Sequence, residues 1–153
     1  MQLGMIGLGK MGGNMVRRLM RGGHSCVVHD RSTDAVSQLA KDGAAGSGSL
    51  DDFLGKLKTP RTAWIMVPAG GPTEETVIAL AERMQSGDTI IDGGNSYYVD
   101  DIRLAKELAA RQIHYVDCGT SGGVMGLERG YCLMIGGPPE AVQRLESVFK
   151  TLA

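Results

Sequence analysis

Short apolar runs alternate with longer amphipathic stretches along the whole chain. Leu3–Ile6, Cys26–Val28, Thr62–Val67, Thr89–Asp92, Ile113–Val116 and Tyr131–Ile135 are brief and mostly apolar, and turn-forming or polar residues bound them. Each reads as a strand. Between them the apolar spacing predicts helices over Lys10–Arg21, Ala35–Lys41 and Tyr97–Ala110, with Gly22-Gly23 ending the first. Another helix follows Pro68–Pro72, with Thr73 read as its cap and Glu75 and Thr76 in its first turn. Pro138-Pro139 opens a last helix, on which Val142, Leu145, Val148, Phe149 and Leu152 share one face. The stretch between Lys41 and Pro60 is dense in glycine, serine and aspartate. There Ala44-Ala45 reads as a vestigial strand and Leu50–Leu57 as a short helix. Strand and helix in alternation predict an α/β fold of the Rossmann type, a doubly wound and mainly parallel sheet between two helical layers. Residues 1–153 read as one domain, with no repeat, linker or low-complexity segment.

In an open α/β sheet, ligands bind outside the carboxyl ends of the strands, and several of those ends carry candidate chemistry. Gly7-Leu8-Gly9-Lys10-Met11-Gly12 follows the first strand and opens the first helix. This is the context in which G-x-G-x-x-G describes a dinucleotide site. Gly7 permits the turn, Gly9 leaves the backbone bare for a pyrophosphate, and Gly12 allows close packing of helix on strand. The helix N-terminus then directs free N–H groups and a positive dipole end at the phosphates. The competing reading is a structural glycine turn, in a chain with 23 glycines.

Asp30 ends the second strand, 18 residues beyond Gly12. An acidic residue about 20 residues on accepts the ribose hydroxyls of NAD, and its charge repels the 2′-phosphate of NADP. Asp30 also reads as a helix N-terminal carboxylate, because Ser32 and Asp34 follow at capping positions. Arg31 has three readings: a fork for a 2′-phosphate, a stacking partner for adenine, or a solvated side chain. Asp30 therefore favours NAD, and Arg31 leaves NADP open. Gly93-Gly94-Asn95-Ser96 follows the fifth strand. Asn95 there either meets a ligand or caps the next helix. Asp117 to Gly126 reads as a bare loop, either a plain connection or a cradle of N–H groups and hydroxyls for a carboxylate or phosphate.

Composition narrows the classes of partner. The formal net charge of −1 provides no basic excess for nucleic acid or an acidic membrane surface. No apolar run approaches the roughly 20 residues that span a bilayer, and no signal peptide precedes the first strand. Cys26, Cys118 and Cys132 form no C-x-x-C and read as buried free thiols of a reducing cytoplasm, with Cys118 a lesser candidate for a reactive thiol. His24, His29 and His114 lack metal-ligand spacing, so no metal site is expected.

Taken together, Gly7–Asn14, Gly93–Ser96 and Ser121-Gly122-Gly123-Val124-Met125-Gly126 resemble the β-hydroxyacid dehydrogenases. Asp92-Gly93-Gly94-Asn95-Ser96 is similar, within that superfamily, to the decarboxylating 6-phosphogluconate dehydrogenase family of the pentose phosphate pathway. Relatives such as hydroxyisobutyrate dehydrogenase typically lack G-G-N-S. The resemblance covers the whole chain but only the first half of such an enzyme. It implies that Gly7–Gly12 cradle the pyrophosphate and that Val67-Pro68-Ala69 match a Val-Lys-Ala segment beside the nicotinamide, with Pro68 replacing the lysine. It implies that Asn95 touches both cofactor and 6-phosphogluconate, and that Ser121, Gly122 and Gly123 hold the substrate. NADP-using members often read Asn-Arg-Thr where this chain has Asp30-Arg31-Ser32, which looks like the shorter, NAD-preferring members. The family's general base, a lysine in Lys-x-x-x-Asn, and its glutamate acid lie on the helical half beyond Ala153. That half also builds most of the homo-oligomer. Lys10 and Asn14 fit Lys-x-x-x-Asn by coincidence, inside the phosphate loop. The expectation is a domain that binds cofactor but turns over nothing alone. The alternatives are another β-hydroxyacid dehydrogenase or a non-catalytic nucleotide-binding module.

Overall fold

The sheet runs in the order β3-β2-β1-β4-β5-β6-β7, so the chain reverses direction of travel between β1 and β4. The computed structural model describes residues 1–153. Its strands are β1 (Gln2–Ile6), β2 (Ser25–His29), β3 (Ala45–Gly46), β4 (Thr62–Ile65), β5 (Thr89–Asp92), β6 (His114–Ser121) and β7 (Cys132–Gly136). Its helices are α1 (Lys10–Arg21), α2 (Thr33–Lys41), α3 (Leu50–Gly55), α4 (Gly71–Ala81), α5 (Tyr98–Ala109), α6 (Gly126–Arg129), α7 (Pro139–Arg144) and α8 (Glu146–Leu152), with a 3₁₀ turn at Gly123–Met125. The first six strands pair in parallel, and β7 runs antiparallel along β6. This is the doubly wound, three-layer Rossmann-type fold.

Strands buried on both faces bear apolar residues at successive positions, and two cores result. Leu3, Met5, Val28, Trp64 and Ile91 pack beneath Met15 and Leu19 of α1 and Val148 and Leu152 of α8. Ala63, Ile65, Ile90 and Tyr115 pack beneath Phe53 of α3, Leu80 of α4 and Leu104 and Leu108 of α5. The parallel register places His29, Ile6, Ile65, Asp92 and Asp117 in one row across the sheet. The glycine loop, the Met66–Pro68 segment and the Gly93–Ser96 turn all leave from that row.

Four local expectations are corrected. Thr73 does not cap α4. The helix starts at Gly71 behind Gly70, whose φ of 86° suits glycine, and the Thr73 hydroxyl donates instead to the Pro68 carbonyl at 2.9 Å. Asp117–Ser121 is not loop but the second half of β6, because β7 returns to pair with it from Asp117↔Gly136 to Ser121↔Cys132. The last helix breaks at Leu145, which ends α7 and precedes α8. Cys132 is exposed, since it lies on the edge strand, whereas Cys26 and Cys118 are buried.

Candidate functional site

The glycines of the first loop serve different needs. Gly7 has a φ of 93°, and a Cβ on it would collide with the Met66 carbonyl. A Cβ on Gly12 would collide with the Gly7 carbonyl beneath α1. Both are required by the fold itself. Gly9 is different, because a Cβ there would meet nothing within 4 Å. It is the N-cap of α1, is exposed, and makes no side-chain cap, and no acidic residue occupies the first turn. Lys10 and Met11 open the helix, so their N–H groups lack intrahelical acceptors. Open space above bare backbone at a helix N-terminus fits a pyrophosphate.

Asp30 is fixed by two backbone donors. Leu8 N–H donates to its Oδ2 at 2.7 Å, and Ser32 N–H to its Oδ1 at 2.8 Å. Ser32, not Asp30, caps α2, its hydroxyl accepting from Ala35 N–H at 3.3 Å. The carboxylate is therefore held at the strand tip outside the helix and tied to the glycine loop. Each oxygen keeps a free lone pair for a further donor.

These groups line one cleft of about 520 Å³, within the size range of small-molecule sites. It brings together Gly7, Gly9, Asp30, Arg31, Val67 and Pro68. Leu8, Lys10, Met11, Gly12, Ala69 and Asn95 are not among its lining residues. Its far wall was not foreseen as a ligand surface: Pro72, Glu75, Thr76 and Ala79, which project from one stripe of α4. The spacing of 72, 76 and 79 was the available signal, a small and polar stripe offset from the buried Thr73, Val77 and Leu80.

The second strand-end turn is held by Asp92, which is fully buried. Its Oδ1 accepts from Gly94 N–H at 2.9 Å, and its Oδ2 from the Ser96 hydroxyl at 2.5 Å and the Tyr115 hydroxyl at 3.0 Å. Gly93 lies against the Trp64 indole nitrogen, where no Cβ fits. Asn95 is exposed and does not cap α5, whose N-cap is Tyr97. Ser121, Gly122 and Gly123 are exposed where β6 overshoots the row of strand ends, so this turn stands farther out than the other two.

Burial and the neighbouring Asp92 carboxylate raise the pKa of Asp117 above the usual carboxylate range. Burial pushes the Cys118 thiol up to about 12, which keeps it protonated and unreactive. No group of three or more His, Cys, Asp or Glu side chains is placed to hold a metal ion. No helix is long and apolar enough to cross a membrane.

The family model described as the NAD binding domain of 6-phosphogluconate dehydrogenase matches residues 2–153. The NAD(+)-dependent, decarboxylating 6-phosphogluconate dehydrogenase of Haloferax volcanii is 41% identical over 153 residues, which cover 100% of this chain and 50% of that protein. Among solved structures, a Plasmodium falciparum 6-phosphogluconate dehydrogenase, solved apo, with NADP+ and with 6-phosphogluconate, superposes with a TM-score of 0.93 at 27% identity, covering 100% of this chain and 34% of that one. A 3-hydroxyisobutyrate dehydrogenase from Mycobacterium tuberculosis gives a TM-score of 0.90 at 22% identity over 99% of this chain and 52% of that one, a likeness of fold alone. The chain spans at most about half the length of these relatives.

Proposed function

The chain belongs to the family of NAD-binding domains of 6-phosphogluconate dehydrogenase, and from that premise we propose that it is the cofactor-binding half of an enzyme that oxidatively decarboxylates 6-phosphogluconate to ribulose 5-phosphate. The observation that carries the reading is the pairing, in one cleft, of bare Gly9 with Asp30, whose two oxygens are held by Leu8 and Ser32. The N–H groups of the first turn of α1 take the pyrophosphate. Asp30 accepts the ribose hydroxyls and disfavours a 2′-phosphate, so NAD is preferred over NADP. Val67, Pro68 and Ala69 border the nicotinamide side. A nicotinamide bound there supplies a hydride acceptor.

Asn95 presents one acceptor and two donors between cofactor and substrate. Ser121, Gly122 and Gly123 offer a hydroxyl and backbone N–H groups to the sugar phosphate. The general base and acid are expected from the helical half of the full enzyme. Lys10 does not serve as the base, because it opens α1 at the phosphate loop. The full protein acts as a soluble homo-oligomer in the cytoplasm.

Two measurements test this. Titration of the chain with NADH and NADPH should give tighter NADH binding. Incubation with 6-phosphogluconate and NAD should yield no NADH from the chain alone, whereas a version extended through the helical half should produce it. A turnover by the 153-residue chain near that of the extended version would refute the assignment of the base. Failure of the extended version on 6-phosphogluconate but turnover of hydroxyisobutyrate would shift the substrate to another β-hydroxyacid.

A further inference from the structure

Beneath the Asn95 turn, one phenolic hydroxyl stands between two buried carboxyl groups. The Tyr115 hydroxyl lies 3.0 Å from Asp92 Oδ2 and 2.9 Å from Asp101 Oδ1. Tyr115, Asp92 and Asp101 are 3%, 0% and 7% exposed. A tyrosine hydroxyl has a single hydrogen and can donate to only one of them. Asp92 already accepts from Gly94 N–H and the Ser96 hydroxyl, whereas Asp101 meets no donor besides Tyr115, its other close polar neighbour being the Asp92 carboxylate itself.

No cation neutralises the group. Facing Asp101 are Asp92 from β5, Tyr115 and Asp117 from β6, Glu74 from α4, and Asp100 on its own helix. Arg103, two positions further along α5, is committed to Glu74 at 3.0 Å, Glu107 at 3.3 Å and Asp100 at 3.7 Å. An ionised Asp101 would stand buried beside Asp92 and compete with it for one hydrogen. A neutral Asp101 completes the network: its carboxylic O–H donates to the Tyr115 oxygen, and Tyr115 donates to Asp92. Every donor then has one acceptor.

We infer that Asp101 and Tyr115 are positioning residues for the Asn95 turn, with a proton on Asp101 closing a clamp that fastens α5 and β6 to the carboxylate around which the turn folds. The clamp ties the three elements that meet under Gly93–Ser96. Burial, with the nearby Asp117 and Asp92 charges adding to it against the Tyr115 hydrogen bond, pushes Asp101 up to about 6. The clamp therefore closes as pH falls through that value and loosens as pH rises through it. Its consequence for ligands rests on the proposed role of Asn95. The clamp itself does not, and it can be read without a ligand.

Trp64 is the sole tryptophan and is fully buried, and its indole nitrogen lies directly under Gly93. Its emission reports where the turn sits. The test is a pH titration of Trp64 emission across about pH 5 to 7.5 on the chain, on Asp101→Asn and on Tyr115→Phe, with circular dichroism confirming the fold of each. The wild-type chain should show a step centred near Asp101's value. Asp101→Asn supplies a neutral donor to Tyr115, so its emission should stay at the low-pH position with the step lost. Tyr115→Phe removes the bridge and should stay at the high-pH position, also without a step. All three histidines, His24, His29 and His114, remain in every variant, so any signal from them persists in Asp101→Asn. A wild-type step retained in Asp101→Asn overturns the inference, as does no step in the wild type or wild-type behaviour of Tyr115→Phe. If Tyr115→Phe fails to fold, Asp101→Asn alone decides. NADH titrations on the same samples separate the two readings: absent binding with the step present counts against the proposed function, and binding without the step counts against the clamp.

Discussion

Replacing Asp30 with alanine should weaken NADH far more than NADPH. The carboxylate lines the cleft with both oxygens braced by backbone N–H groups, so little is lost in ordering it when a ribose arrives. Hydrogen bonds to a charged group contribute about 1.5–3 kcal/mol, which is roughly a 10- to 150-fold rise in the dissociation constant for NADH. NADPH gains from the removal of a like charge what it loses in hydrogen bonding, so its dissociation constant should stay within about threefold. The same substitution has a folding cost. Leu8 is 8% exposed, and its N–H would lose its acceptor, at about 1–3 kcal/mol for a buried orphaned donor. Asp30→Asn separates the effects, since the amide oxygen can still accept from Leu8 N–H while the charge is gone. The assay is fluorescence titration of NADH and NADPH against the three proteins, beside their unfolding midpoints in urea. Equal weakening of both cofactors by Asp30→Ala would refute the assignment of Asp30 as the ribose ligand. So would NADPH binding at least as tight as NADH in the wild-type chain.

The remaining predictions concern the glycine loop and the thiols. Gly9→Ala should fold with only a small loss of stability, from the poorer N-cap, because its methyl enters open space, yet bind NADH at least about tenfold more weakly. Gly12→Ala should lower the unfolding free energy by about 1–3 kcal/mol or more, because its methyl strikes the Gly7 carbonyl; thermal unfolding with and without NADH distinguishes the two. With a thiol reagent at neutral pH, Cys132 should react at once, and Cys26 and Cys118 only on unfolding, since both are buried and held at about 12. Three fast-reacting thiols in the native chain would contradict that burial.

What could be read from the residues is what local chemistry determines. Strand β1, the glycine loop and α1 lie within about twenty consecutive residues, so turn, dipole and apolar period all speak from one stretch. The second half of β6 could not be read that way. Gly119 and Ser121 lack strand character and flank a lone Thr120, and the three are extended because β7 returns from Cys132 to pair with them. Thr73 failed for a related reason. It looks like a cap in sequence, but Gly70 reaches a φ of 86° and Pro72 fits the first turn, so α4 begins earlier. The α4 wall of the cleft, with Glu75, Thr76 and Ala79, depends on how that helix crosses the sheet, which no single stretch encodes. The Tyr115 bridge joins residues 23 and 14 positions away and is equally hidden.

The glycine motif itself divides into two kinds of requirement, and the division bears on how far such a motif testifies to function. Gly7 and Gly12 would be demanded of any strand and helix packed this closely, ligand or none, because the chain's own carbonyls occupy the space of a side chain. A structural turn explains them completely. Gly9 has no such explanation: its surroundings are empty, its backbone is extended, and a serine or asparagine would cap α1 better. Open space alone does not mark a ligand, since Gly48, Gly55, Gly71 and Gly136 share it, but only Gly9 combines it with a helix N-terminus in the cleft that Asp30 lines. The dinucleotide reading therefore rests on the middle glycine together with the braced carboxylate of Asp30, and a test that perturbs Gly9 probes function where one that perturbs Gly7 or Gly12 probes mainly the fold.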